Sequence, residues 1–213
     1  MQILLVSATE MEIKPFLLSD LKKLDTIDVL ITGIGIPATM YHLTKSLIEK
    51  KYDLVIQAGV GGSFSKKIKL AEVVLVSRDI FADIGAKEKG KFIPLSVMGL
   101  QDANEYPYED GWLINKNEAL KTKKFQAVKG ITISTITDDK KHIKEMVKHF
   151  AADVESMEGA ALHYICLQQT VPFIQLRAIS NKVGDRDKRK WKMKKAIENL
   201  NTELSKLLKE LTS

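Results

Sequence analysis

Short apolar, β-branched runs recur along the chain at residues 3–7, 29–32, 54–58, 73–77, 131–134 and 173–180. Their length and polar flanks predict buried strands. Between them the period changes. After Pro37, a residue tolerated in a first helical turn, Ala38, Tyr41, Lys45 and Ile48 follow at turn spacing and predict a helix up to Lys51. Met157, Ala160, Ala161, Tyr164 and Ile165 repeat at three and four residues, which predicts an amphipathic helix after Glu155. Trp191, Ile197, Leu200, Leu204, Leu207 and Leu211 mark a C-terminal helix in the same way. Strands separated by helices place the chain in the α/β class around one central sheet. Residues 92–130 carry Pro94, Pro107, Gly99, Gly111 and several aromatics, and read as a long excursion from that sheet.

The chain has 213 residues, 45% hydrophobic and 28% charged, enough for one domain, residues 1–213, with a sizeable core. No run approaches the roughly 18 apolar residues of a membrane span, and the apolar start at residues 3–6 lacks a basic flank and leads into Glu10 and Glu12. A cytoplasmic protein with no membrane partner is expected. Cys166 is the one cysteine and lies in an apolar helical pattern, so a buried, unreactive thiol is expected and a disulfide framework is not. The net charge is +6, concentrated at residues 186–195. Without a nucleic-acid fold signature this run reads as a solvated helix start with no nucleic-acid partner, although a few of its cations have the charge to flank a pocket for an acidic small substrate.

Candidate chemistry narrows by elimination. His42, His142, His149 and His163 are scattered outside any zinc pattern, and neither a nucleophile elbow nor a Walker loop occurs, so no metal and no cofactor is expected. Gly33-Ile34-Gly35 follows a strand but departs from the dinucleotide fingerprint, with Pro37 in the turn and Ala38 at the third glycine position. Gly59-Val60-Gly61-Gly62-Ser63 lies at a strand end, where glycines either turn a loop or let backbone N–H groups approach a ligand. Glu10 and Glu12 follow the first strand, and Glu158 opens a helix, where a carboxylate also serves as a dipole partner.

Taken together, Ala8-Thr9-Glu10-Met11-Glu12, the two glycine segments, Ser156-Met157-Glu158-Gly159-Ala160-Ala161 and Arg177-Ala178-Ile179-Ser180-Asn181 resemble the nucleoside phosphorylase and nucleosidase superfamily. The Met-Glu-Gly-Ala and Arg-Ala-Ile-Ser pieces at this separation are the specific ones. Ala82-Asp83-Ile84-Gly85-Ala86 and the stretch from Ile179 through Arg186 to Trp191 are most similar to the futalosine hydrolase family. The resemblance implies a central mixed, twisted sheet flanked by helices, a purine nucleoside as small-molecule partner, and a homo-oligomer, dimeric or larger.

It also implies roles. Glu158 would accept hydrogen bonds from both hydroxyls of a ribose, with Met157 against one sugar face and Gly61 and Ser180 completing the substrate-binding set. Glu12 would orient and deprotonate the attacking water, with Glu10 the lesser candidate of the pair. If both acids belong to an extended strand end, they share a face. Asn181, counted with Glu12 as catalytic, stands where adenine-releasing nucleosidases carry an aspartate that protonates N7. An amide has no proton to give there, but it can donate to O6 of a 6-oxopurine and accept from a protonated N7. The implied reaction is hydrolysis of futalosine to release hypoxanthine on a menaquinone route. The alternatives are phosphorolysis of inosine or guanosine, and adenine release from methylthioadenosine.

Overall fold

The computed structural model describes residues 1–89, 91–117 and 125–212. The sheet begins with β1 (Ile3–Ser7), buried at every position, followed by α1 (Glu10–Leu17), β2 (Ile27–Ile31) and α2 (Ile36–Glu49). A ten-residue strand, β3 (Leu54–Ser63), runs beside β1 in parallel. Next come β4 (Val73–Asp79), the small hairpin β5 (Gly85–Glu88) and β6 (Lys91–Pro94), and the two-residue β7 (Leu113–Ile114). The second half holds β8 (Gln126–Thr132), α3 (Lys140–Phe150), β9 (Val154–Ser156), α4 (Gly159–Gln168), β10 (Phe173–Lys182) and α5 (Met193–Thr212).

The sheet is mixed. β2, β1, β3 and β10 run parallel, β4 is antiparallel to β10, β8 is parallel to β4, β9 is parallel to β8, and β9 returns antiparallel to β3. Strands β3, β10, β4, β8 and β9 therefore close a ring, with β1 and β2 continuing from β3. β3 makes this possible by changing partners. Leu54 to Gln57 pair with β1, whereas Gly62 and Ser63 pair with Glu155 and Val154 of β9. The fork leaves a gap at the carboxyl ends of β1, β3 and β10, the place where α/β sheets take ligands.

Helices cover both sides. α5 lays Ala196, Leu200, Leu204, Leu207 and Leu208 on the cluster that includes Leu5, Ile56 and Leu176. α4 is apolar almost all round, as its central position demands, and packs Leu162, Ile165 and Cys166 against Val6, Leu43 and Val55. The Cys166 thiol is buried, and burial alone pushes its pKa up, as expected of an inert core thiol.

Several expectations are corrected in detail. The glycines at residues 59–62 are strand, not a loop, because β3 must extend past β1 to reach β9. Residues 154–156 form a strand, and the helix expected after Glu155 starts at Gly159. Glu10 and Glu12 lie in the first turn of α1, not on an extended strand end. The excursion at residues 92–130 contains β7 and most of the run into β8; its residues 118–124 lie outside the described set.

Candidate active site

The gap at the fork is a cavity of about 220 Å³ that brings Glu12, Gly61, Met157, Glu158, Ser180 and Asn181 together from four segments of chain. Each of the six residues singled out from the sequence lines it. Glu10 is exposed and does not.

Glu12 is held at both oxygens. Oε2 accepts from the Thr9 N–H at 3.0 Å, the Thr9 hydroxyl at 3.0 Å and the Ser7 hydroxyl at 3.3 Å, while Oε1 accepts from the Val60 N–H at 3.0 Å. Thr9 is the N-cap and Glu12 the third helical residue, so the carboxylate folds back as in a capping box. One turn later Pro15 interrupts α1, and Ile13 is non-helical at φ −117°, ψ 17°. Asn201 of α5 repairs the break, donating to Glu12 O at 2.8 Å and accepting from Phe16 N–H at 3.1 Å. A side chain far along the sequence thus fixes the backbone of Glu12.

Glu158 is 5% exposed. Its Oε1 accepts from the Gly35 N–H at 3.1 Å, and its Oε2 lies 3.6 Å from Nη1 of Arg177. Arg177 is 1% exposed and donates through Nη2 to Gln57 Oε1 at 2.7 Å. Burial pushes the Glu158 carboxyl above the usual range; Arg177 and the Gly35 N–H pull it back, and the charge of Glu12 adds to the rise. Gly59 explains how the guanidinium fits. A methyl there would fall onto Arg177 Nη1 and lie 3.0 Å from Glu12 Oε1. Arg177 belongs to the Arg-Ala-Ile-Ser segment, but its approach to Glu158 is a product of tertiary packing.

The opposite end of the cavity is built on β3, β9 and β10. Ser180 donates to Gly61 O at 3.2 Å or to Asn181 Oδ1 at 2.8 Å, and Asn181 Nδ2 donates to Lys182 O at 3.0 Å. The Asn181 amide keeps one hydrogen and one lone pair for a ligand. Glu155, Arg186 and Trp191 line the same end, with the Arg186 guanidinium 5.7 Å from the indole centroid. Arg186 is the one cation of the basic run at this cavity, and Lys188, Arg189 and Lys190 are exposed.

Behind the cavity a polar cluster supports α4. Asp79, fully buried, accepts from the Thr132 hydroxyl at 2.9 Å and from Gln175 Nε2 at 3.2 Å, and Thr132 Oγ1 accepts from the Ala160 N–H at 2.7 Å. Burial pushes Asp79 up to about 6, while His163, bonded to Leu113 O, is pushed down to about 4. A methyl on Gly159 would fall onto Asp79 Oδ2 and Gln175 Nε2. Gly159→Ala is therefore expected to destabilise the protein by about 3 kcal/mol in urea unfolding, although alanine alone favours a helix by about 1 kcal/mol. An unchanged or raised midpoint would show that this cluster yields freely.

Among the described residues no group of three His, Cys, Asp or Glu could hold a metal ion, and no helix is long and apolar enough to cross a membrane. Comparison with known proteins gives related answers. A futalosine hydrolase of Streptomyces coelicolor is 29% identical over 89% of this chain and 81% of its own length. One of Thermus thermophilus is 28% identical over 84% and 80%. The solved 5′-methylthioadenosine/S-adenosylhomocysteine nucleosidase of Colwellia psychrerythraea, in complex with adenine, superposes with a TM-score of 0.80 at 18% identity, covering 99% of this chain and 96% of that one. The model of the phosphorylase superfamily matches residues 20–213, which span every cavity residue discussed except those of the β1–α1 segment. With the nucleoside phosphorylase-like arrangement of its sheet and helices, the chain belongs to the phosphorylase superfamily.

Proposed function

We propose that the protein is an N-glycosyl hydrolase that cleaves futalosine, releasing hypoxanthine, within cytoplasmic menaquinone biosynthesis. One observation carries this reading. A buried carboxylate paired with Arg177, a second carboxylate held by four donors, and an amide with spare hydrogen-bonding capacity meet in one cavity. The similarity to the futalosine hydrolases of S. coelicolor and T. thermophilus supports it independently.

The chemistry divides along the cavity. Glu158 accepts from the ribose 2′- and 3′-hydroxyls, and Met157, its chain neighbour, covers a sugar face. Breaking the glycosidic bond builds positive charge on the sugar, which the two carboxylates stabilise. Glu12 takes a proton from the attacking water. Asn181 reads the base, donating to O6 and accepting from N7–H, a pattern that adenine, with an amino donor at C6, does not match. A mismatched buried polar pair costs several kcal/mol, enough to reject the wrong base.

Product analysis on futalosine, inosine and methylthioadenosine, each with and without phosphate, tests the reading. Free hypoxanthine and free sugar from futalosine in phosphate-free buffer are the expected products. Strict dependence on phosphate would make the protein a phosphorylase, and dominant adenine release would overturn the role given to Asn181.

A further inference from the structure

Glu155 is a buried carboxyl that the reaction described above does not use. It is 5% exposed, lines the cavity, and its Oε2 has no hydrogen-bond partner among the described residues. Its place is fixed by the sheet. Glu155 pairs with Gly62 across the β3–β9 ladder, and Asn181 pairs with the same Gly62 across the β3–β10 ladder. A methyl on Gly62 would meet Glu155 Cγ at 3.2 Å and Oε1 at 3.3 Å, so the carboxyl lies over a glycine that leaves room for it. An unpaired buried carboxyl is unfavourable, and its retention beside a base-reading amide calls for a ligand-directed role.

The N-glycosidic reading leaves one chemical requirement unmet. A purine departs poorly as an anion, so a proton must reach it as the bond breaks, and Asn181 can hold that proton but has none to give. We propose that Glu155 is the general acid of the cleavage, supplying the proton with which the purine leaves; this rests on the nucleosidase reading. In the step, the C1′–N9 bond breaks and its electron pair goes to the base. The Glu155 carboxyl proton passes to N7, the water oxygen bonds to C1′, and the water's proton goes to Glu12. One water is consumed, a neutral purine and a free sugar leave, and Glu155 and Glu12 exchange their protons with solvent.

The surroundings keep Glu155 largely protonated below neutrality. Burial pushes its carboxyl up to about 7, with Arg186 drawing it back. From the other elements, β3 presents Gly62 and Ser63, and β8 presents Ile131 and Thr132, none of them titratable. β10 brings Asn181 and also Lys182, whose amine is turned to Ser65 O and Ile68 O, both at 2.6 Å. Glu12 and Glu158 share the cavity, the latter beside Arg177.

The experiment uses wild type and Glu155→Gln on a cleaved purine nucleoside and on p-nitrophenyl riboside, whose leaving group departs without a proton. At about pH 6, Glu155→Gln is expected to lower kcat/KM on the nucleoside by about 100-fold or more while leaving the activated riboside within about threefold. Wild-type kcat/KM is expected to fall as pH rises through about 7, and the variant to lack that limb. Equal losses on both substrates would make Glu155 structural and overturn the proposal. So would wild-type activity that rises through the same pH range, since that is the mark of a carboxylate accepting a ring N–H. If wild type cleaves no purine nucleoside at all, the nucleosidase reading itself falls, a failure distinct from an active enzyme indifferent to Glu155→Gln.

Discussion

Glu12→Gln is expected to lower kcat by about 10³-fold or more while KM stays within about threefold. The substitution separates two jobs that one side chain performs. A glutamine retains a carbonyl oxygen that can accept either from the Val60 N–H or from Thr9, and Gln serves at the third position of a capping box almost as well as Glu. Asn201 bonds to backbone atoms of residues 12, 16 and 197 and not to the Glu12 side chain, so it is untouched. The fold and the shape of the cavity therefore persist. What is lost is a group able to take a proton from water. Ribose contacts assigned to Glu158 remain, so the loss falls on the chemical step. A variant with near wild-type kcat would remove Glu12 from the base role, and one with a collapsed melting temperature would make its part structural.

Much of this site could be read from the residues before any coordinates. Strand β1 runs over the predicted residues 3–7, and the Met157-Glu158 and Ser180-Asn181 pairs do meet in one cavity. The conformation of the acidic pair could have been read and was not: Thr9 and Glu12 have the spacing of a capping box, which signals a first helical turn. The strand character of residues 59–62 could not be read this way. Glycine is a poor strand former, and these glycines are explained only by what approaches them from other segments: Arg177 at Gly59, the Glu155 backbone at Gly61 and the Glu155 side chain at Gly62. The three-residue β9 is likewise set by pairing with β3 and β8, while the three-and-four spacing of small residues continues through it and favours a helix. Arg177 and Glu155 stand inside or beside recognised segments. Their importance comes from burial, which spacing alone does not reveal.

Arg177→Met is expected to be the most destabilising change at the site, because it leaves Glu158 charged and without its countercharge. The side chains of the pair are 1% and 7% exposed, so solvent screens them little. Removing one partner of such a pair costs about 3 to 5 kcal/mol, roughly 10 °C in melting temperature for a chain of this size. The loss depends on pH with a definite sign. Burial already raises the folded pKa of Glu158 above the ordinary glutamate value, so in wild type its ionisation weighs against the fold as pH rises through that interval. Without Arg177 the folded pKa rises further, and the unfavourable interval extends upward. The deficit of the variant is thus largest at neutral and alkaline pH and shrinks as pH falls toward the unfolded pKa, where the carboxyl is protonated in both states. A pH-independent remainder of about 1 kcal/mol persists, because Gln57 Oε1 loses its donor. The double variant Arg177→Met with Glu158→Gln should recover the pH-dependent part alone. Urea unfolding across pH measures both, and a deficit that does not change with pH would show that Arg177 stabilises the fold by packing and not by compensating Glu158.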